Sequence, residues 1–306
     1  MNDKAVKSGV LFAIAAYTMW GIAPMYFKLL GQVPAMEILM HRIIWSVIVL
    51  TLLVVVTGKA DKVKQAILNP KVMQVLLISG VLLAANWFIF IWAINNNHLL
   101  DASLGYYINP LLNVFLGRLF LGERLRRLQK VAVGLALSGV VYFIIGYGQL
   151  PWVALALAGT FGIYGLLRKQ VAVDSLPGLL IESVFLLLPA IAYWIWFAGE
   201  YSNMVTNDMA LNITLICAGI VTTAPLLCFT AAAKRIMFST LGFFQYIGPS
   251  LMFVLAAVVY GEPLDDNKIV MFAFVWLALG LFSYDSLRQY RKVRKALKQP
   301  NTNANK

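Results

Sequence analysis

The chain has 306 residues, 61% of them hydrophobic and 12% charged, with a mean hydropathy of +0.79. Soluble domains hold about 45–50% apolar and about a quarter charged residues, so this composition excludes a soluble globular protein and points to a polytopic membrane protein. The net charge of +12 is read as orienting the chain in a bilayer rather than as a nucleic-acid footprint, and two histidines with no Cys/His cluster give no reason to expect a metal or other cofactor.

A membrane-crossing helix needs about 20 mostly apolar residues. Ten such runs are expected, roughly 8–29, 36–57, 72–94, 102–121, 128–146, 150–167, 177–198, 211–233, 238–260 and 267–287. They are separated by turn-forming stretches such as "GQVP", "TGKADK", "GERLRR", "VDSLP" and "GEPLDD". The first run has no small-residue cleavage site and reads as a retained helix. Cys217 and Cys228 share the run 211–233; about 16 Å apart on a helix, they cannot bridge.

Polar groups facing lipid are costly, so embedded ones should face a cavity or each other. In chain order, the first run offers Tyr17 and Trp20 with a kink expected at Pro24. The second carries Glu37 near its start, then His41 and Arg42 about two turns further in. Arg42 suits either an anionic substrate group or outer gate, or a structural ion pair; His41 suits packing or a proton relay. Asn86 and Trp87 lie near the middle of the third run, and Tyr106, Tyr107, Asn109, Pro110 and Asn113 near the middle of the fourth. Arg118 can snorkel to headgroups, and Glu123 can cap the helix that follows it. Gly134, Ser138 and Gly139 read as close helix packing. Glu182, about five residues into the seventh run, suits a coupling proton, an inner gate or snorkelling. Thr222, Thr223 and Pro225 mark the eighth run; Gln245, Tyr246, Gly248 and Pro249 mark the ninth. Each of Pro24, Pro110, Pro225 and Pro249 removes a backbone donor, which lipid tolerates only beside protein or a water-filled cavity.

The fourth and ninth runs repeat one another. "YINPLLNVFLGRLFLGER" from Tyr107 and "YIGPSLMFVLAAVVYGEP" from Tyr246 share Tyr, Ile, Pro, two leucines and a closing Gly-Glu, 139 residues apart. Glu123 and Glu262 are that closing residue. Fainter echoes link "TMWGIAPMYFK" with "GTFGIYGLLRK". The chain therefore divides into five-helix halves at 1–147 and 148–287, followed by a basic tail over 288–306. Five is odd, so the second half enters from the opposite side, and the expected fold is all-α with ten transmembrane helices as two inverted five-helix repeats. Of 25 Lys and Arg, 21 fall on one side, two on the other and two within helices. Both termini are therefore expected in the cytoplasm.

The stretches "DASLGYYINPLLNVFLGRLFLGERLRR", "GFFQYIGPSLMFVLAAVVYGE" and "AAYTMWGIAPMYFKLLGQVPAMEILMHRIIWS" resemble the RarD group of EamA-domain transporters in the drug/metabolite transporter superfamily. The resemblance implies two inverted EamA repeats, a bacterial inner-membrane location and small-molecule permease activity.

Inverted repeats suit a carrier that exposes a midplane site to each side in turn. The expected cavity residues are Trp20, Arg42, Asn86, Tyr107, Asn109, Gln245 and Tyr246, with His41 and Glu182 as gate or proton-coupling groups. The expected partners are a small-molecule substrate and the lipid bilayer. Arg42 with Glu182 suits a zwitterionic solute, and the aromatics and amides suit an uncharged amphipathic one. A channel-like facilitator or a receptor remains the alternative. Most acids lie at helix ends and neither histidine is spaced for catalysis with Ser or Cys, so no enzyme is expected.

Overall fold

The structure, a computed structural model, describes residues 3–95, 99–148, 151–259 and 266–298. Its helices are α1 (Asp3–Lys28), α2 (Ala35–Val56), α3 (Ala60–Ile67), α4 (Pro70–Asn95), α5 (Leu99–Leu121), α6 (Arg127–Tyr147), α7 (Trp152–Gln170), α8 (Ser175–Phe197), α9 (Met209–Ala233), α10 (Phe238–Gln245), α11 (Ile247–Val254) and α12 (Asp266–Lys298). Among the described residues, seven helices are long and apolar enough to cross a membrane: α1, α2, α4, α6, α8, α9 and α12. In α5, Asn109, Asn113 and Arg118 dilute the apolar run, and in α7 Arg168 and Lys169 do so. The chain is a multi-pass membrane protein.

Local chemistry sets the helix ends. Asn69 accepts from the backbone N–H groups of Lys71 and Val72 at the start of α4, where Pro70, having no N–H, needs no acceptor. Asp208 likewise accepts from Leu211 N at the start of α9. Gly122, at φ 64°, turns the chain after α5, and the N–H of Glu123 reaches back to Gly117 O at 3.0 Å.

Two expectations are corrected, over residues 60–67 and at Glu123. A short helix, α3, occupies the stretch read as a loop; its Val63 and Ala66 pack on Val72, Leu76 and Val173. Helices run unbroken through Pro24, Pro110 and Pro225, whereas the ninth run breaks at Tyr246 into α10 and α11 and ends in a π-helical turn over 255–259. Pro249 cannot donate to Gln245 O, so the ladder is interrupted one turn upstream of the ring. Glu123 does not cap the following helix. Its carboxylate accepts from Phe238 N at 2.5 Å and Ser239 N at 2.9 Å, capping α10. Glu262 lies outside the described residues.

The chain forms two compact units, Met1–Glu123 with Pro151–Glu262 and Arg124–Leu150 with Pro263–Lys306. In the first, α5 packs on α7 and α10, α2 on α8 and α9, α1 on α9 and α11, and α4 on α7 and α8. Its core includes Tyr17, Leu50, Leu83, Tyr164, Leu179, Phe229 and Phe238. In the second, α6 lies along α12, joined by an Arg126–Asp285 ion pair at 2.5 Å. A Cβ on Gly139 would meet Phe274 Cβ at 2.8 Å, so Gly139 is a close-packing residue. Gly134 has no neighbour within 4 Å and is not.

In the first unit a Cβ on Gly242 would come within 2.7 Å of Pro110 O and 3.0 Å of Asn113 Cβ. Gly242→Ala is therefore expected to lower stability by about 1–3 kcal/mol through overpacking, although Ala is the better helix former by about 1 kcal/mol. Gly134→Ala should be neutral or stabilising. Denaturant titration of the purified variants in detergent checks both; an unaltered Gly242→Ala protein would contradict the packing argument.

Candidate functional site

One end of the first unit gathers basic residues from several turns. Lys62 pairs with Asp174 at 2.6 Å. Lys169 Nζ donates to Ala233 O and Ile236 O, and Lys234 Nζ to Val171 O at 2.8 Å. The hydrogen bond from Lys62 holds the Asp174 carboxyl below the usual carboxylate range, and burial pulls the Lys234 ammonium down to about 8. This basic end is tied together mainly by lysines reaching orphan carbonyls at the C-terminal ends of helices.

Just inside it, Glu182 and Arg168 are both completely buried and form an ion pair, with Nε 3.6 Å from Oε1. That separation is too long for a hydrogen bond. Glu182 accepts instead from the hydroxyls of Ser79 and, at 3.5 Å, Tyr164. Arg168 Nη2 donates to Ser175 O at 3.0 Å. Gly178 makes this possible, because a Cβ there would collide with the guanidinium. The arrangement joins α4, α7 and α8 through charge, and it removes snorkelling as the role of Glu182.

The opposite, far end holds a second buried carboxylate. Glu37, 3% exposed, accepts from Ser202 Oγ at 2.5 Å in the connection between α8 and α9. His41 is fully buried beside Trp194, its ring centroid 5.3 Å away, and its Nδ1 accepts from Trp45 Nε1 at 3.3 Å.

Between the two ends lies a narrow recess of about 10 Å³, room for one water, lined by Ile43, Ser46, Trp87, Ser183, Thr222 and Thr223 among others; a solute would enter it only with the surrounding helices moved apart. Arg42 stands at its margin. It enters from α2 about 10 Å from the helix start. Its Nε donates to Thr222 Oγ1 at 2.9 Å, and its guanidinium carbon lies 5.4 Å from the Phe27 ring centroid and 5.1 Å from that of Trp87. Among the described residues it forms no ion pair.

The other sequence-predicted residues are placed as follows. Trp20 sits in an aromatic cluster with Tyr17, Phe161 and Phe229, which continues through Tyr164 to Glu182. Asn86 donates to Leu157 O and Thr160 Oγ1, and Asn109 to Ala158 O, so both bind α7. Gln245 accepts from Asn113 at 3.0 Å, and the Tyr246 hydroxyl donates to Tyr107 O at 3.2 Å, both between α5 and the α10–α11 segment. Of the seven expected cavity residues, Arg42 has both Thr222 and Trp87 of the recess as contacts; the other six contribute contacts between helices. Arg168, Ser79 and Tyr164 were not singled out from the sequence. The available signal was Gly178 one turn before Glu182, a gap on the face that bears the carboxylate.

Removing one partner of a fully buried ion pair costs about 3–5 kcal/mol, whereas replacing both by apolar groups is far milder. Arg168→Met and Glu182→Leu singly should each destabilise on that scale, and the double variant should recover most of the loss. Purely additive effects in detergent unfolding would contradict the pairing.

A family model, the EamA-like transporter family, matches residues 7–145. A Vibrio cholerae protein named "Uncharacterized transporter" is 55% identical over 96% of this chain and 98% of its own. Protein RarD of Escherichia coli K12 is 51% identical over 96% of this chain and 100% of its own. The "Chloramphenicol-sensitive protein RarD" of Pseudomonas aeruginosa is 32% identical over 93% of this chain and 96% of its own. A protein of known crystal structure, 19% identical, superposes with a TM-score of 0.70 over 90% of this chain and 96% of its own, and so shares the fold.

Proposed function

Because the chain belongs to the RarD group of EamA-type transporters, in the drug/metabolite transporter superfamily, we propose that it is a carrier moving a small organic solute across the bacterial inner membrane by alternating access. In this reading ten helices form two inverted five-helix repeats, 1–147 and 148–287, and both termini are cytoplasmic.

The observation that carries the reading is that helix packing is unchanged when the halves are exchanged. Replacing α1 by α7, α2 by α8, α4 by α9, α5 by α10–α11 and α6 by α12 turns α1–α9 into α7–α4, α2–α9 into α8–α4 and α1–α11 into α7–α5, all close contacts. The pairs α2–α8, α5–α10 and α6–α12 turn into themselves; the exceptions are the minor α7–α9 contact and the contacts of α3, which has no counterpart. Within the first unit, the self-paired α2–α8 and α5–α10 belong on a two-fold axis. So does the Tyr246–Tyr107 hydrogen bond, which joins residues 139 apart, the repeat interval itself.

Two buried carboxylates, on the exchanged helices α2 and α8 but at different depths, tie down the two ends. Glu37 near the start of α2 is held by Ser202 before α9, and Glu182 near the start of α8 by Ser79 of α4. They serve as clasps at the far and basic ends, on either side of the recess. A carrier opens one clasp at a time and keeps the other shut. Glu182 in this scheme is an inner-gate residue whose release opens the basic end.

Two measurements test the reading. Reporter fusions after Gly148 and Glu200 should be periplasmic, and those after Lys64, Arg127 and the C-terminus cytoplasmic. In a cysteine-free background, Ser183→Cys should be reached by maleimide from each face of oriented vesicles. Linking Lys62→Cys to Asp174→Cys should close the basic face and raise labelling from the far face. A channel-like facilitator would show no such rise, and a cytoplasmic reporter after Gly148 would contradict the inverted repeat.

A further inference from the structure

We propose that the solute is an organic monoanion, a carboxylate on an apolar body, and that Arg42 is the group that binds its charge. The inference rests on the recess being the transport site.

An unpaired arginine in a membrane-embedded unit is costly unless something compensates it; insertion scales put a central arginine at a few kcal/mol. Arg42 has only partial compensation. Two aromatic faces attract the guanidinium electrostatically, and one hydrogen bond to Thr222 fixes Nε. Its terminal nitrogens make no hydrogen bond among the described residues and are not sealed from accessible space. A planar fork held rigidly by rings on its faces and a hydroxyl on Nε presents its remaining donors in the geometry that a carboxylate accepts.

The rest of the recess selects against a second charge. Glu182, the nearest acid on a lining helix, is occupied by Arg168, Ser79 and Tyr164, and Glu37 by Ser202 at the far end. An ammonium on the solute would therefore meet no free carboxylate among the described residues. Ile43, Leu179, Leu186, Leu226 and Trp87 offer an apolar wall. The hydroxyls of Ser183 and Thr223, which make no hydrogen bond among the described residues, can accept or donate to a neutral polar group. The zwitterion suggested by Arg42 and Glu182 in the sequence is thereby replaced by a monoanion.

The test is direct binding to the full-length protein in nanodiscs, by calorimetry and thermal shift. The probes are butyrate, phenylacetate, 3-phenylpropionate and indole-3-acetate, each against its amide, with phenylalanine and phenethylamine as zwitterion and cation. At least one acid should bind about tenfold or more tightly than its amide, the scale of one charge-assisted hydrogen bond. Phenylalanine should bind more weakly than 3-phenylpropionate. Arg42→Gln should erase the acid–amide difference while leaving the unliganded melting temperature close to wild type. If Arg42→Gln does not fold, Thr222→Val, which frees Nε, should reduce the preference by itself. Equal binding of acids and amides, preference for the amine or zwitterion, no binding by any acid, or an acid preference that survives both substitutions would each overturn the proposal. Counterflow of the bound acid in proteoliposomes separates the two readings: an acid that binds through Arg42 but is not exchanged leaves Arg42 as an anion-binding group and removes the transport reading.

Discussion

A carboxylate buried in a membrane protein must find its compensation within the protein, and Glu182 organises the basic end of this one around that requirement. Its neighbours come from two other helices: Ser79 from α4, Tyr164 and Arg168 from α7. Because the pair is completely buried, separating it exposes two charges to a low dielectric unless water or another partner arrives at the same time. That is the property of a switch. The closed arrangement is held by a geometry that fails as a whole, and Gly178 is the opening that lets the guanidinium sit under the first turns of α8.

Arg42 stands in a different condition. Its charge is softened by Phe27 and Trp87 and anchored by Thr222, and among the described residues it lacks the counter-ion that Arg168 has. Arg168 is fully buried with its counter-ion, whereas Arg42 is half-buried with its terminal nitrogens open. In the proposed scheme the first contributes to closure and the second to recognition. The recess joins the two functions, since α8 supplies Leu179, Ser183 and Leu186 to its wall and Glu182 to the clasp behind it. In the proposed scheme a solute pressing on that face of α8 would act on the helix that carries the gate. The aromatic chain from Trp20 through Phe229 and Tyr164 to Glu182 packs the same region rigidly.

The sequence disclosed the helices because lipid demands long apolar runs, and it disclosed which polar residues were out of place there. It did not disclose their partners. Asn86 and Asn109 were legible as embedded amides, but their acceptors are carbonyls of α7, which no side-chain pattern marks. Arg168 was hidden because a basic residue at a helix end carries the same signal whether it faces water or lies beneath the next helix. Only the gap at Gly178 and the placement of Glu182 decide between them. Helix α3 was hidden by its charge, since Lys62, Lys64 and Asp61 made a surface helix look like a loop. The prolines were legible as missing donors, yet three of four leave their helices continuous. The interruption at Tyr246 comes where Pro249 deprives Gln245 of its partner in the repeat copy that begins Tyr-Ile-Gly-Pro.

The central claim is that the basic and far ends open in alternation and that Glu182 holds the first one shut. Electron–electron distance measurements between spin labels test it most directly, with one pair at Lys64 and Ala172 on the basic end and another at Gln32 and Val205 on the far end. Wild-type protein should favour the short basic-end distance. Glu182→Gln should lengthen that distance and shorten the far-end distance in the same sample. Two ends that lengthen together, or a basic-end distance unchanged by Glu182→Gln, would contradict the account.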